Sequence, residues 1–95
     1  MTEVFKALSD PGRRKILRIL GQGELTAGEI GAHFEFTAPT LSHHLAALKK
    51  AELIRVRRNG TQLIYCLNTT VMQDVASAIL DFLPSADLHR EAEQS

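Results

Sequence analysis

A change in hydrophobic period near residue 52 limits the folds open to this 95-residue chain more than any other feature. Before it, apolar residues recur at helical spacing, most clearly at Leu41, Leu45 and Leu48. After it, residues 53–58 alternate apolar and basic side chains, as half-buried strands do. Asn59-Gly60 is a strong hairpin signal, and residues 61–67 return as a second strand. The pattern predicts a helical domain that carries one β-hairpin.

Capping residues divide the helical part into separate helices. Asp10 before Pro11 is typical of an N-cap and a first helical position, and Thr26 has Glu29 at capping-box spacing. Thr37 caps a fourth helix that ends near Ala51, and a last helix is predicted over 70–83, before Pro84. The order α-α-α-α-β-β-α is that of a winged helix-turn-helix, mostly α with a β-hairpin. We assign it to residues 1–84 and predict that residues 85–95 are a frayed polar tail.

Composition excludes several classes of protein. The single cysteine, Cys66, excludes a disulfide framework and a cysteine-only metal site. No apolar run approaches the roughly 20 residues that span a bilayer, so we expect a cytoplasmic protein with no stable membrane insertion. The sequence Gly21-Gln22-Gly23 follows a helix, not a strand, and is not a dinucleotide loop. We therefore expect neither an enzyme nor a cofactor.

Charge is unevenly distributed although the chain is neutral as a whole. Residues 1–36 are balanced, residues 37–61 carry a net charge of +4, and residues 62–95 carry −4. The basic block covers the fourth helix and the first strand, so it indicates a surface for a polyanion. Two ordinary solvent-exposed faces would give the same net charges, and charge alone does not decide between these interpretations.

The fourth helix carries the sharpest candidates for DNA contact. With its leucines turned inward, its open N-terminal side presents Ala38, Pro39, Thr40, Ser42 and His43. The N-terminal end is where a recognition helix meets base edges, and Lys49 and Lys50 further along suit phosphates. The alternative is an ordinary amphipathic helix with a polar face. His44 lies beside the inward leucines and is predicted to be a hydrogen-bonded core residue.

The hairpin, called the wing from here on, supplies the second group of candidates. Its basic residues are Arg55, Arg57 and Arg58, next to the turn residues Asn59 and Gly60. Such a tip can reach a minor groove or flanking phosphates. A strand edge protected from aggregation by its charges is the alternative. Because the wing follows the fourth helix directly and both are basic, we favour DNA contact.

Four segments together resemble the ArsR-type bacterial winged-helix repressors over residues 3–83. They are LSDPGRRKILRIL, LTAGEIGAHF, TLSHHLAALKKAELI and the wing with IYCLNTT. Within that family the chain most resembles the metal-independent autorepressors. The resemblance implies a homodimer paired through the first and last helices. It also implies that recognition helix 38–50 enters successive major grooves of a palindromic operator, with wing residues 55–62 alongside.

The resemblance also yields expectations about the dimer and the signal. The predicted dimer seam consists of Val4, Phe5, Leu8, Val71, Val75, Ile79 and Phe82. Metal-sensing members carry Cys-x-Cys where this chain has Thr26 and Gly28, and helix 70–83 lacks a histidine. Asp87-Leu88-His89 supplies only half of another metal motif. We expect no metal site, autoregulation through the chain's own promoter, and release of DNA by a protein partner that sequesters the repressor.

Two other functions remain open on the sequence. The basic face could dock an acidic protein, which predicts weak and unspecific DNA binding. A small apolar ligand could lie between the terminal helices, although Ala76, Ser77 and Ala78 favour close packing there. Exposed histidines could in addition bind zinc adventitiously.

Overall fold

Five helices and three strands make up the computed structural model, which describes residues 1–84. The helices are α1 (Thr2–Leu8), α2 (Pro11–Leu20), α3 (Ala27–Gly31), α4 (Ala38–Lys50) and α5 (Thr69–Leu80). The strands are β1 (Leu25–Thr26), β2 (Ile54–Asn59) and β3 (Gln62–Leu67). This order confirms the predicted winged helix-turn-helix. The polar tail, with its Asp87-Leu88-His89, lies outside the described residues.

The predicted helix starts are confirmed by their caps. Each N-cap side chain accepts a hydrogen bond from the backbone N–H three residues on, at 3.0 Å for Asp10, 3.2 Å for Thr26, 3.3 Å for Thr37 and 3.4 Å for Asn68. The Glu29 carboxylate accepts a bond of 2.9 Å from the backbone N–H of Thr26, which completes the capping box. Local side-chain chemistry therefore sets where these helices begin.

The sheet has one strand more than the sequence predicts. Its order is β1-β3-β2 with both pairs antiparallel, and Leu25 and Thr26 of β1 lie opposite Tyr65 and Ile64. Two residues are too short for any alternation of side chains, so periodicity could not identify β1. The extra strand joins the wing to the segment that follows α2.

The wing turn lies one residue later than predicted. Asn59 pairs with Gln62 inside the sheet, so the two-residue loop is Gly60-Thr61 and not Asn59-Gly60. Gly60 has a φ of 64° at the first central position of the turn, where type II′ turns require glycine. The dipeptide rule located the hairpin but misplaced its register.

The end of α5 also differs from the prediction, and α3 is short. Helix α5 ends at Leu80, three residues before the predicted end, and the backbone N–H groups of Phe82 and Leu83 close a last turn onto Ile79 and Leu80. Helix α3 ends at Gly31, and six residues separate it from α4. In this connection the Phe36 ring stacks on Phe34 with centroids 4.4 Å apart and fills the corner between the two helices.

The core lies where α2, α3 and α4 meet the sheet. Its fully buried side chains are Ile16, Ile30, Leu48 and Leu53. Truncation of such a residue to alanine typically costs about 2–5 kcal/mol. Because Leu45 and Leu48 bury the inner face of α4, the opposite face of that helix is held toward solvent.

Candidate nucleic-acid interface

The open face of α4 is built as the sequence predicts. The predicted side chains on it are all exposed: Ala38, Pro39, Thr40, Ser42, His43 and Lys49. Lys50, predicted to contact a phosphate, is exposed on the same face, as is Ala46, which the sequence did not single out. Ala46 lies four residues after Ser42 and three after His43, and this spacing was the signal that could have found it. The face runs from the N-terminal turn to the end of the helix.

The hydroxyl groups at the start of α4 are ordered by the cap. The Thr37 Oγ1 accepts from the Thr40 backbone N–H and donates to Thr40 Oγ1 at 2.9 Å. Thr40 therefore accepts this bond and keeps its own hydroxyl proton for another acceptor. Pro39 lies in the first turn, where its missing N–H costs no helical bond. This end presents polar groups together with the positive end of the helix dipole.

One edge of the open face borders the wing, and the other edge borders α1. Ser42 and Lys49 line a cleft against the wing. His43 and Lys50 line a groove against α1, into which Lys6 also projects. The helix thus places one hydroxyl or imidazole and one ammonium group on each side of its exposed ridge.

The two adjacent histidines have different environments. His43 is exposed, whereas His44 is 8% exposed and its Nδ1 accepts a hydrogen bond of 3.1 Å from Arg13 Nε. The His44 ring also lies 4.9 Å from the ring of Phe36. The prediction that His44 is a hydrogen-bonded core residue is confirmed, and its partner Arg13 was missed because it lies 31 residues away.

The wing requires a correction at Arg57. Its guanidinium donates to the Glu24 carboxylate through Nε at 3.0 Å and Nη2 at 3.2 Å. This pairing lowers the pKa of Glu24 and raises that of Arg57. Arg57, Ile64 and Thr26 lie opposite one another across the three strands. The pair, called the Glu24–Arg57 clasp from here on, therefore crosses the sheet, and Arg57 is not the unpaired wing cation that the sequence predicts.

The other wing candidates lie on different faces of the hairpin. Arg58 is opposite Leu63 inside the ladder, on the sheet face that carries Val56 toward α4. Arg55 is opposite Cys66 on the other face, and Gly60 alone of the predicted turn pair lies in the turn. Neither Arg55 nor Arg58 forms an ion pair with the described part of the chain. Arg58, rather than Arg57, is the wing arginine on the side of the open face.

The predicted dimer seam divides into core and surface residues. Val4 and Val75 are 7% and 4% exposed within their own chain, so they pack internally and offer little surface to a partner. Leu8 and Val71 are half-buried. The exposed large apolar side chains are Phe5, Ile79 and Phe82 from the predicted set, with Met1, Leu63, Leu80 and Leu83 in addition. Apart from Leu63 on β3, this apolar surface lies on or beside α1 and at the C-terminal end of α5.

Two further expectations concern metal binding and membrane insertion. The Thr26 hydroxyl, at the position of a metal-sensing cysteine, caps α3. Among residues 1–84, no three His, Cys, Asp or Glu side chains are grouped closely enough to hold a metal ion. In that same part of the chain, no helix has the length and apolar character to cross a membrane.

Comparison with known proteins assigns the family. The family model described as bacterial regulatory protein, arsR family, matches residues 10–56. The transcriptional repressor SdpR of Bacillus subtilis is 51% identical over 92% of this chain and 97% of its own length. The arsenical resistance operon repressor of Staphylococcus xylosus is 40% identical over 92% of this chain and 83% of its own.

A solved structure supports the same assignment. The homodimeric winged helix-turn-helix DNA-binding domain Mb0332 of Mycobacterium bovis superimposes with a TM-score of 0.68 at 30% identity, over 88% of this chain and 82% of its own. The predicted resemblance is confirmed. The chain belongs to the ArsR family of bacterial regulatory proteins and is a winged-helix, DNA-binding transcriptional regulator, not an enzyme.

Proposed function

We propose that this chain is a dimeric repressor that binds a palindromic operator in the cytoplasm, with the promoter of its own gene as the first candidate. The observation that carries the proposal is the open face of α4. From Pro39 to Lys50 it extends about 17 Å along the helix axis. The major groove, about 12 Å wide, admits a helix of this kind. Polar groups at its N-terminal half and ammonium groups at its C-terminal end match base reading and phosphate contact.

Each side chain of the face has a role that its chemistry supports. Ser42 and His43 read base edges, with Thr40 and the apolar Ala38 and Pro39 at the helix start. Lys49 binds a phosphate and fixes the position of the helix on the duplex. Arg58 and Arg55 bind flanking phosphates on the wing side.

The exposed apolar side chains on α1 and α5 support the homodimer. Phe82 is 75% exposed, and a soluble monomer rarely leaves several large apolar side chains in water without a partner. A two-fold dimer through these helices covers them and presents two recognition helices to a palindrome. The homodimeric state named for Mb0332 is consistent with this arrangement.

The proposed repressor acts without a metal or disulfide switch. The Thr26 hydroxyl serves as a helix cap, Gly28 has no side-chain donor, and the chain has one cysteine. A protein partner that sequesters the dimer therefore remains our proposal for release of the operator.

The experiment is a fluorescence-anisotropy titration with the duplex upstream of the chain's own gene and a scrambled duplex. Both are run at several salt concentrations, with zinc or with a chelator. We expect a preference of ~10³-fold or more, a steep salt dependence and no effect of zinc. A zinc effect would contradict the metal-independent assignment.

Equal, weak binding to both duplexes would contradict autoregulation. Selection of genomic fragments with the purified protein then tests the wider proposal. An enriched palindrome elsewhere would retain the repressor with a different operator. No enrichment would overturn the repressor and favour the acidic-protein alternative.

A further inference from the structure

One arginine side chain joins three helices of the fold. Arg13 lies in the first turn of α2, where its backbone N–H binds the capping carboxylate of Asp10. Its side-chain Nε donates to His44 Nδ1 on α4 at 3.1 Å. Its Nη1 donates to the carbonyl oxygen of Lys6 on α1 at 3.2 Å. One rigid guanidinium therefore connects the C-terminal turn of α1 to the recognition helix.

The chemistry of this contact determines the state of the histidine. An arginine can only donate, so His44 Nδ1 is the acceptor and the ring proton lies on Nε2. The Asp10 Oδ2 lies 3.9 Å from the same Nδ1, too far for a hydrogen bond. Because His44 is buried, a hydrogen bond lost there leaves a polar atom that water cannot easily satisfy.

We propose that Arg13 is a positioning residue for DNA reading. It holds the N-terminal half of α4, through His44, at a fixed place relative to α1. His43 immediately precedes His44 in the helix and Ser42 precedes His43, so their position depends on the same link. The inference rests on the proposed function, in which α1 is a dimer helix and these two side chains read bases.

The dimer makes the link consequential. Two recognition helices must reach half-sites about one helical turn apart at the same time. A fixed connection from the dimer helix to the recognition helix sets the spacing of the two recognition helices before DNA binds. A looser connection lowers the affinity for the palindrome, whereas binding to random DNA depends on charge and is unaffected.

The test compares Arg13→Lys with Arg14→Lys. Lysine keeps the charge but lacks the planar fork that reaches His44 and Lys6 together. Arg14 is a matched control, since its Nη1 donates to the Leu8 carbonyl oxygen of α1 at 2.7 Å and makes no hydrogen bond to α4 within the described residues. We expect Arg13→Lys to lower the ratio of operator to random-duplex affinity about tenfold, which is the discrimination that one base contact provides. Arg14→Lys should leave the ratio unchanged, and both variants should keep the wild-type salt slope on random DNA.

The outcomes separate this inference from the proposed function. If the wild-type protein prefers no duplex, including the fragments from genomic selection, the repressor itself fails. If it prefers an operator and Arg13→Lys keeps the full ratio, the positioning role is wrong. An equal loss in both variants would assign the effect to the end of α1 and would also overturn the proposal.

A second pair of variants guards against misfolding of Arg13→Lys. The asparagine oxygen in His44→Asn can take the place of Nδ1, whereas His44→Gln places its polar atoms nearer to Nε2. Both remove the ring that packs on Phe36, so they share the packing loss. We expect His44→Asn to retain more of the operator preference than His44→Gln, with circular dichroism confirming the fold. Equal preferences would overturn the role of the Arg13 bond.

Discussion

The recognition helix and the wing carry similar charges but hold them differently. On α4, Ser42, His43 and Lys49 make no side-chain hydrogen bond or ion pair with residues 1–84. On the wing, Arg57 is bound by two hydrogen bonds to Glu24, across the sheet. These three side chains are therefore available for a ligand as they stand, whereas Arg57 on the wing already has a counter-ion. Lys50, at the end of the same helix face, is intermediate, since its Nζ lies 4.0 Å from Glu3 Oε1. A count of basic residues predicts the sign of the surface charge but not how many of the basic side chains lack a counter-ion.

The largest effect is expected when the proposed base-reading side chains of α4 are removed. Replacing Ser42 and His43 together with alanine removes two proposed base readers and should lower the preference for the operator over random DNA about 100-fold, at about 1–3 kcal/mol for each good contact. Anisotropy titrations of both duplexes measure the ratio. His33→Ala, an exposed histidine outside α4, is the control and should leave it unchanged. An equal loss on both duplexes would show that Ser42 and His43 do not read bases.

The next effect separates the two neighbouring wing arginines. Arg58→Ala should weaken both duplexes alike, about eightfold at ~0.1 M salt, and reduce the salt slope by about 1, as loss of one phosphate contact does. Arg57→Ala should change the slope less, because Glu24 already neutralises that charge. Equal slopes for the two variants would mean that the clasp opens when DNA binds.

The features predicted correctly from sequence are those whose partners lie nearby in the chain. Asp10 with Pro11, and Thr26 with Glu29, act within one turn, so the sequence alone located these helix starts. The open face of α4 followed from the spacing of Leu41, Leu45 and Leu48. Residues three or four apart must share a helix face, and tertiary structure does not alter that relation.

The missed features depend on distant partners or on very short elements. Glu24 lies 33 residues from Arg57 and Arg13 lies 31 from His44, so no local spacing marks either pair. Strand β1 exists because β3 offers an edge to it, not because two residues have a pattern. Val4 and Val75 were expected on the dimer seam because the resemblance places that seam on the first and last helices, and the sequence does not tell which of their apolar side chains pack within the chain.

A smaller effect on DNA affinity is expected when the Glu24–Arg57 clasp of the wing is removed. Glu24→Gln should release Arg57 and raise affinity for both duplexes about two- to fivefold, in keeping with the modest energy of exposed ion pairs. Glu52→Gln removes the same charge from an exposed acid outside the ion pairs of the described residues, so it corrects for the overall charge change. An equal gain in both variants would show that net charge, not the clasp, limits binding.

The smallest expected effect is the pH dependence of the clasp. The hydrogen bonds from Arg57 hold the pKa of Glu24 below 4.5, its usual value. A carboxyl whose pKa is lower in the folded than in the unfolded chain stabilises the fold above the unfolded value and loses that contribution as the pH falls through the folded value. The wild-type protein should therefore melt slightly above Glu24→Gln at pH 7, and the two melting temperatures should converge as the pH falls below 4.5 toward the lowered pKa.

Thr37→Ala provides the contrast on the helix side. It removes the α4 cap, which is worth about 1 kcal/mol and does not titrate. Its melting temperature should stay below that of the wild type by a similar margin across the same pH range. If the Glu24→Gln difference also persists in acid, the clasp is not what distinguishes the two proteins, and Arg57 would have to be regarded as available to DNA, like Lys49 of α4.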